Sequence, residues 1–401
     1  MNLTGIITEY NPFHLGHKYH LENAIKDTNS DGIVCVMSGD FMQRGTPAII
    51  DKYTRAKIAV LNGVDLVLEL PLVYSLSSAE NFAFGGVKLL NSLNCINNIY
   101  FGSESGNLNN LFKIAHSLAF ESTEYKENLK DNIKKGIPFH TARTNSLNSI
   151  LPNDNVYEIL SNSNNILAIE YIKSIIKLDS KIKPFTLKRE GNNYNDLNLS
   201  KTFSSATSIR KCLKENMNLN ILKNSIPLET YKELENLFNK NYNFVFENDM
   251  FEFLKYKILT NDSKLKNIND LSEGLDNKIK KEIINSKCIN ELILNIKSKR
   301  YTYTRINRIL TSFFIGLEQY DLTNIKNYDF KFIRPLALNS TGMKILKEIK
   351  SKSNLKILNK IPKHIDDDIL KINLLGTKAY SILNKSISPI EDYLKTPYIH
   401  K

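Results

Sequence analysis

Four short apolar runs, at 3–9, 32–38, 66–70 and 98–101, each bounded by polar residues or glycine, read as buried strands. Between them, 19–27, 52–62 and 79–93 carry apolar residues at three- and four-residue spacing, the period of a helix with one buried face. Parallel strands need long crossovers, so this alternation predicts an α/β fold, a doubly wound parallel sheet. Helical patterns follow at 108–135 and 164–176, then a strand at 183–189 and a helix opening at Ser205. That helix closes a first domain, 1–222. From Pro227 the pattern is mostly helical, at 230–239, 250–259, 276–286, 289–296, 304–315 and 343–350, so 223–401 reads as a second, helical domain. Residues 330–338 read as a strand or an extended link, and the end from Pro389 to Lys401 as partly disordered.

The chain has 401 residues, enough for two or three domains with a substantial core. It contains no run approaching the roughly 20 apolar residues of a membrane span and no signal-peptide pattern at its start, so a cytoplasmic protein without a membrane partner is expected. Cys35, Cys95, Cys212 and Cys288 lack metal-type spacing and are expected to be reduced and structural. Net charge is +12, of which residues 229–401 carry +9. A polyanion such as RNA is one explanation for that excess. A general enrichment in Asn, Lys and Ile is the other.

The chemistry starts with His14, Leu15, Gly16 and His17, which lie just after the first strand and open the first helix. A helix start offers unpaired N–H groups to an anion, and Gly16 lets phosphate approach the backbone. Two imidazoles three residues apart donate hydrogen bonds as charge builds on a leaving pyrophosphate, and neither has to move a proton. His14, His17 and His20 as zinc ligands are the competing reading, but no Cys lies nearby in sequence. At the end of the second strand, Ser38, Gly39 and Asp40 are placed to line a small-molecule site, with Gln43 and Arg44 offering donors to an anion. Gly102 ends the fourth strand, where a base or ribose can lie against backbone. One of Asn164 and Asn165 reads as a helix N-cap and the other as a contact to adenine or ribose. Ser204 to Arg210 opens another helix and forms a second anion cradle from Ser205, Thr207 and Arg210, or else an ordinary Ser/Thr cap; Lys188 and Arg189 add charge beside it. Lys297, Lys299, Arg300, Tyr301, Tyr303, Arg305 and Arg308 form the densest basic cluster. It reads either as an RNA surface with rings to stack on unpaired bases or as a solvated face with core tyrosines.

Together the opening Ile7, Thr8, Glu9, Tyr10, Asn11, Pro12, Phe13, His14, Leu15, Gly16, His17, the run from Met37 to Gly45, Gly63 to Pro71, Phe101 to Glu104, Ser205 to Arg210 and Thr302 to Leu310 resemble the tRNA(Met) cytidine acetate ligase family. The resemblance implies a nucleotidyltransferase-like domain, similar to adenylyltransferases and class I aminoacyl-tRNA synthetases, with a helical C-terminal region. It implies an ATP site on Ile7 to His20, which adds Lys18, Tyr19 and His20 to the residues just named, together with Gly102, Asn164 or Asn165, and Arg189. The implied reaction activates acetate with ATP to acetyl-adenylate and pyrophosphate, then acetylates the wobble cytidine of elongator tRNA(Met). His14, His17 and Arg210 are the candidates for charge neutralisation, together with Mg²⁺, and Asp40 for orienting or deprotonating the cytidine amine. Lys299, Arg300, Arg305 and Arg308 are the candidates for the tRNA. Two rival readings predict different products: an adenylyltransferase joining ATP to a phosphorylated small molecule, and a non-catalytic RNA-binding protein on a nucleotide-binding scaffold.

Overall fold

The apolar runs become strands because each is buried on both faces. In the computed structural model, which describes residues 1–189, 205–216, 219–271 and 274–401, β1 (Leu3–Thr8), β2 (Gly32–Ser38) and β3 (Leu66–Leu70) are almost wholly shielded from solvent. Ser204 lies outside the described residues. Three helices make the crossovers: α1 (Leu15–Thr28), α2 (Lys52–Leu61) and α3 (Ala79–Ser92), followed by β4 (Asn98–Ser103). β1 and β2 pair in parallel from Leu3 opposite Gly32 to Thr8 opposite Met37. Alternate side chains of β2 feed two cores: Val34 and Val36 join Phe82, Leu89 and Leu90 of α3, whereas Ile33, Cys35 and Met37 join Leu21 and Ala24 of α1 and Ala56 and Ala59 of α2.

The expected doubly wound α/β sheet is the one found. After β4 the chain forms α4 (Leu108–Phe120), α5 (Thr123–Lys134), α6 (Phe139–Ile150) and α7 (Ser163–Lys177) before β5 (Lys183–Lys188) and α8 (Ala206–Asn216). The single helical stretch expected at 108–135 is split where Glu121 takes a left-handed conformation with φ of 31°. Beyond it, α9 (Leu228–Asn239), α10 (Phe251–Thr260), α11 (Leu275–Asn285), α12 (Ile289–Ile296) and α13 (Tyr303–Ile315) form a helical region.

The division expected at 222/223 does not divide the sheet. β6 (Pro335–Leu338) pairs antiparallel with β3, and after α14 (Ser340–Lys352) and α15 (Asp368–Leu383) the tail adds β7 (Tyr398–Ile399), giving the order β5-β4-β1-β2-β3-β6-β7. The outer edge of β3 needs a partner for its backbone groups, and β6 supplies one. The tail is therefore ordered rather than partly disordered.

A buried charge cluster ties this return in place. Lys52 Nζ lies 2.7 Å from Glu69 Oε1 and 2.9 Å from Asp392 Oδ1, and it donates to Thr377 Oγ1 at 2.9 Å. Arg334 reaches Glu69 Oε2 at 2.9 Å and Asp392 Oδ1 at 2.7 Å. Burial works against the charge on Asp392, but Lys52 and Arg334 outweigh it and hold that carboxyl below its usual range.

Candidate active site

The chain leaves β1 toward β2 on one side and toward β4 on the other, and at the carboxyl ends of β1 and β4 this switch point opens a cleft of about 450 Å³. Residues of the first turn, of β4, of α7 and of the α8 start all line it.

His14 caps α1 with extended backbone, φ −135° and ψ 175°. Its backbone N–H donates to His17 Nδ1 at 3.3 Å, so neutral His17 carries its proton on Nε2. The two rings stack with centroids 3.6 Å apart, and Tyr10 and Phe13 hold His17 edge-on from behind. The Gly16 N–H finds no acceptor among the described residues. Burial, with Arg189 and Arg210 adding to it, pushes the His14 imidazole down to about 3. Burial, His14 and Arg189 hold His17 well below the usual value, and burial with Arg189 brings His20 to about 4. All three rings are thus neutral near pH 7. His14 Nδ1 and His20 Nε2 are buried without a partner. Buried ring nitrogens left unsatisfied beside guanidiniums suit a polar, anionic ligand that completes their hydrogen bonds.

The other wall carries the charge. Arg210 reaches back from α8 to Asn11 O at 2.7 Å and takes Thr207 Oγ1 at 3.1 Å, which points it at the first turn. Ser205 lines the cleft and also caps α8, accepting from Ser208 N at 3.1 Å. Arg189 folds over Gly102, where a Cβ would come within 3.3 Å of Arg189 Cγ.

Glu104 settles the two asparagines. Asn165 is 1% exposed and is spent inside the fold, donating to Ile159 O at 3.1 Å and accepting from Ser105 N at 3.0 Å. Asn164 lines the cleft and donates to Glu104 Oε1 at 2.6 Å. Neither caps the helix, since Asn162 holds that position.

Of the other residues expected at the ATP site, Ile7, Thr8, Glu9, Tyr10, Asn11, Tyr19 and His20 line the cleft. Pro12, Phe13, Leu15, Lys18 and Thr207 are not among its lining residues. Asp40 lies elsewhere. It is 4% exposed, accepts Lys52 N at 2.9 Å and faces Thr377 within the buried charge cluster, so it has no route to a substrate amine. Burial raises its carboxyl to about 6. Phe82, Phe101, Leu167, Tyr171 and Thr304 also line the cleft. Their apolar periodicity marks them as core, and nothing in the sequence distinguishes a cleft wall from a core wall.

The basic cluster sits at the rim. Asn307 Nδ2 donates to Arg44 O at 3.2 Å and Thr311 Oγ1 to Gly45 O at 2.5 Å, so α13 grips the loop that carries Gln43 and Arg44 into the cleft. Lys299 and Arg300 are exposed, and Arg305 donates to Asp270 O at 2.8 Å. Arg308 is half-buried, and its Nε has no partner. Tyr301 is 6% exposed and packs under Arg305, so this ring is core rather than a platform for bases.

Among the described residues no three His, Cys, Asp or Glu side chains converge on a metal ion. No helix is long and apolar enough to cross a membrane among the described residues.

A model of the HIGH Nucleotidyl Transferase family matches residues 1–393. Two proteins named tRNA(Met) cytidine acetate ligase are similar over the full length: one from Clostridium novyi (strain NT), 52% identical over 99% of both chains, and one from Clostridium tetani (strain Massachusetts / E88), 47% identical over 100% of both. Crystal structures of Thermotoga maritima TmcAL superpose over 100% of both chains. The apo form gives a TM-score of 0.92 at 31% identity, and the form bound with alpha-thio ATP gives 0.89 at 30%.

Proposed function

The chain belongs to the tRNA(Met) cytidine acetate ligase family of HIGH nucleotidyl transferases, and from that premise we propose that it activates acetate with ATP and acetylates the wobble cytidine of elongator tRNA(Met) to N4-acetylcytidine, in the cytoplasm. The observation that carries this reading is the convergence of His14, the His17 Nε2–H, the Gly16 N–H, Arg189 and Arg210 on one cleft at the switch point of the sheet. A relative with the same fold binds an ATP analogue.

Acetate is ionised at neutral pH, so the first step needs no base. An acetate oxygen attacks the α-phosphorus, the bond to the bridging oxygen breaks, and pyrophosphate leaves with the charge that the donors stabilise. Asn164, Gly102 and Arg189 form the end of the cleft suited to the nucleoside. A divalent ion would arrive on the triphosphate rather than on a protein cage. The second step brings an unstacked cytosine to the adenylate. The basic rim on α13, with Lys299, Arg300, Arg305 and Arg308, is the surface for the RNA backbone, so the 1–222 part carries the nucleotide and 223–401 the tRNA.

The test is acetate-dependent exchange of labelled pyrophosphate into ATP, followed by acetylation of elongator tRNA(Met). Exchange that requires acetate is the expected result. No exchange with acetate, under conditions where ATP binds, overturns the proposal.

A further inference from the structure

Building on the acetyl-transfer reading above, we infer that Glu9 is a catalytic residue of the second step, the carboxylate that receives the proton released by the cytosine amine. Glu9 ends β1 and is the one carboxylate among the described residues lining the cleft. Its backbone carbonyl is gripped by buried Arg55 at 2.6 Å, and its Oε1 accepts the Gln43 N–H at 2.7 Å. Gln43 is itself fixed, donating to Ser77 O at 3.2 Å. One oxygen is thereby aimed, while Oε2 takes no hydrogen bond from the described residues.

The first step starts from an ionised acetate and releases no proton, so it does not call for a base. Acetate and ATP are both anions, and an unpaired carboxylate beside them opposes binding. ATP offers donors in its ribose hydroxyls and adenine amine, but of the three substrates only cytosine must give up a proton as it reacts, from its exocyclic amine. That amine is a weak nucleophile whose proton must leave as the new bond forms. Its nitrogen attacks the carbonyl carbon of acetyl-adenylate, the carbon–oxygen bond to the phosphate breaks, AMP departs, and the N4 proton passes to Glu9 and then to water.

The alternatives within reach serve poorly. Asp40 is sealed in the buried charge cluster. His17 spends its one acceptor, Nδ1, on the His14 N–H and presents only a donor to the cleft.

Glu9→Gln keeps an oxygen for the Gln43 N–H while removing the charge and the basicity. Hydroxylamine, a strong nucleophile that needs no base, captures acetyl-adenylate as acetohydroxamate and so reads activation separately. We expect single-turnover acetylation of tRNA by Glu9→Gln to fall about 100-fold or more relative to its hydroxamate formation, and Glu9→Asp to recover part of that ratio. A ratio within fivefold of the wild type overturns the assignment. So does a parallel loss of hydroxamate and tRNA product, which would place Glu9 in activation or folding. Wild-type enzyme that forms no acetate-dependent hydroxamate would sink the acetyl-transfer reading itself, a result separable from the other two.

Discussion

Replacing His17 with alanine probes the centre of the cleft. With His14 N–H on its Nδ1, His17 presents one donor, Nε2–H, and its ring is fixed by stacking on His14 at 3.6 Å. A preorganised donor aimed at developing charge in a dry site contributes about 2.7–4 kcal/mol, or about 10²–10³ in rate. Protonation adds nothing at neutral pH. Bringing His14 down to about 3 makes its charged form roughly 5 kcal/mol dearer in the fold than in water, at about 1.4 kcal/mol per pKa unit. A depressed imidazole binds its proton more readily in the unfolded chain. Folding stability is therefore untouched above pH 6.5 and declines as pH falls from 6.5 toward 3. The assay is acetate-dependent pyrophosphate exchange at subsaturating ATP between pH 6 and 8, for wild type, His17→Ala and His17→Asn. We expect His17→Ala to be about 10²–10³ slower, His17→Asn intermediate, and the wild-type profile to lack a limb near 6.5. An alanine variant within tenfold of wild type, or a wild-type limb at an ordinary histidine value, would refute the argument.

Three further outcomes follow from the same geometry. Lys52→Met strands Glu69 and Asp392 with Arg334 alone and should cost about 3–5 kcal/mol in urea unfolding; a loss under about 1 kcal/mol would mean that the cluster relaxes or hydrates. Asp40, raised to about 6 by burial, binds its proton more tightly folded than unfolded, so its contribution is fully present below about pH 4 and is lost as pH rises through 6. Asp40→Asn should remove that slope, roughly 2 kcal/mol between pH 4.5 and 7.5, in unfolding curves compared at those two values, and an unchanged slope would assign it to another group. Arg308→Ala should weaken tRNA binding and reduce the slope of log K against log salt by about 0.7–0.9 for each phosphate that is no longer neutralised; an unaltered slope moves the RNA surface off α13.

The elements that position the cleft were legible because each carries a strong local signal. The runs that became β2 and β3 are continuous apolar segments bounded by turn residues, and their ends fall where the pattern puts them. The His14–His17 turn stood out through its placement between the first strand and the first helix, not through its spacing alone. Asp40 was misleading because a polar residue after a strand looks the same whether it faces solvent, a ligand or a buried lysine, and its partners Lys52 and Thr377 lie 12 and 337 positions away. α15 left only a faint amphipathic stripe to read, since Ile369, Leu370, Ile372, Leu374, Ala379 and Tyr380 bury most of its circumference and only a narrow face with Lys371, Lys378 and Ile382 is exposed. β6 falls inside the 330–338 segment read as a strand or an extended link, whereas β7, two residues long, is too short to announce itself.

The closure of that edge has a consequence for synthesis on the ribosome. Lys52 and Glu69 are made early, yet Arg334, Thr377 and Asp392, which complete their charge cluster, emerge only as the chain ends. At about 5–20 residues per second, that leaves the growing polypeptide with an incomplete charge cluster and a bare strand edge for tens of seconds. A nascent fragment ending at residue 222 therefore carries an open strand edge in need of protection and is not a finished module.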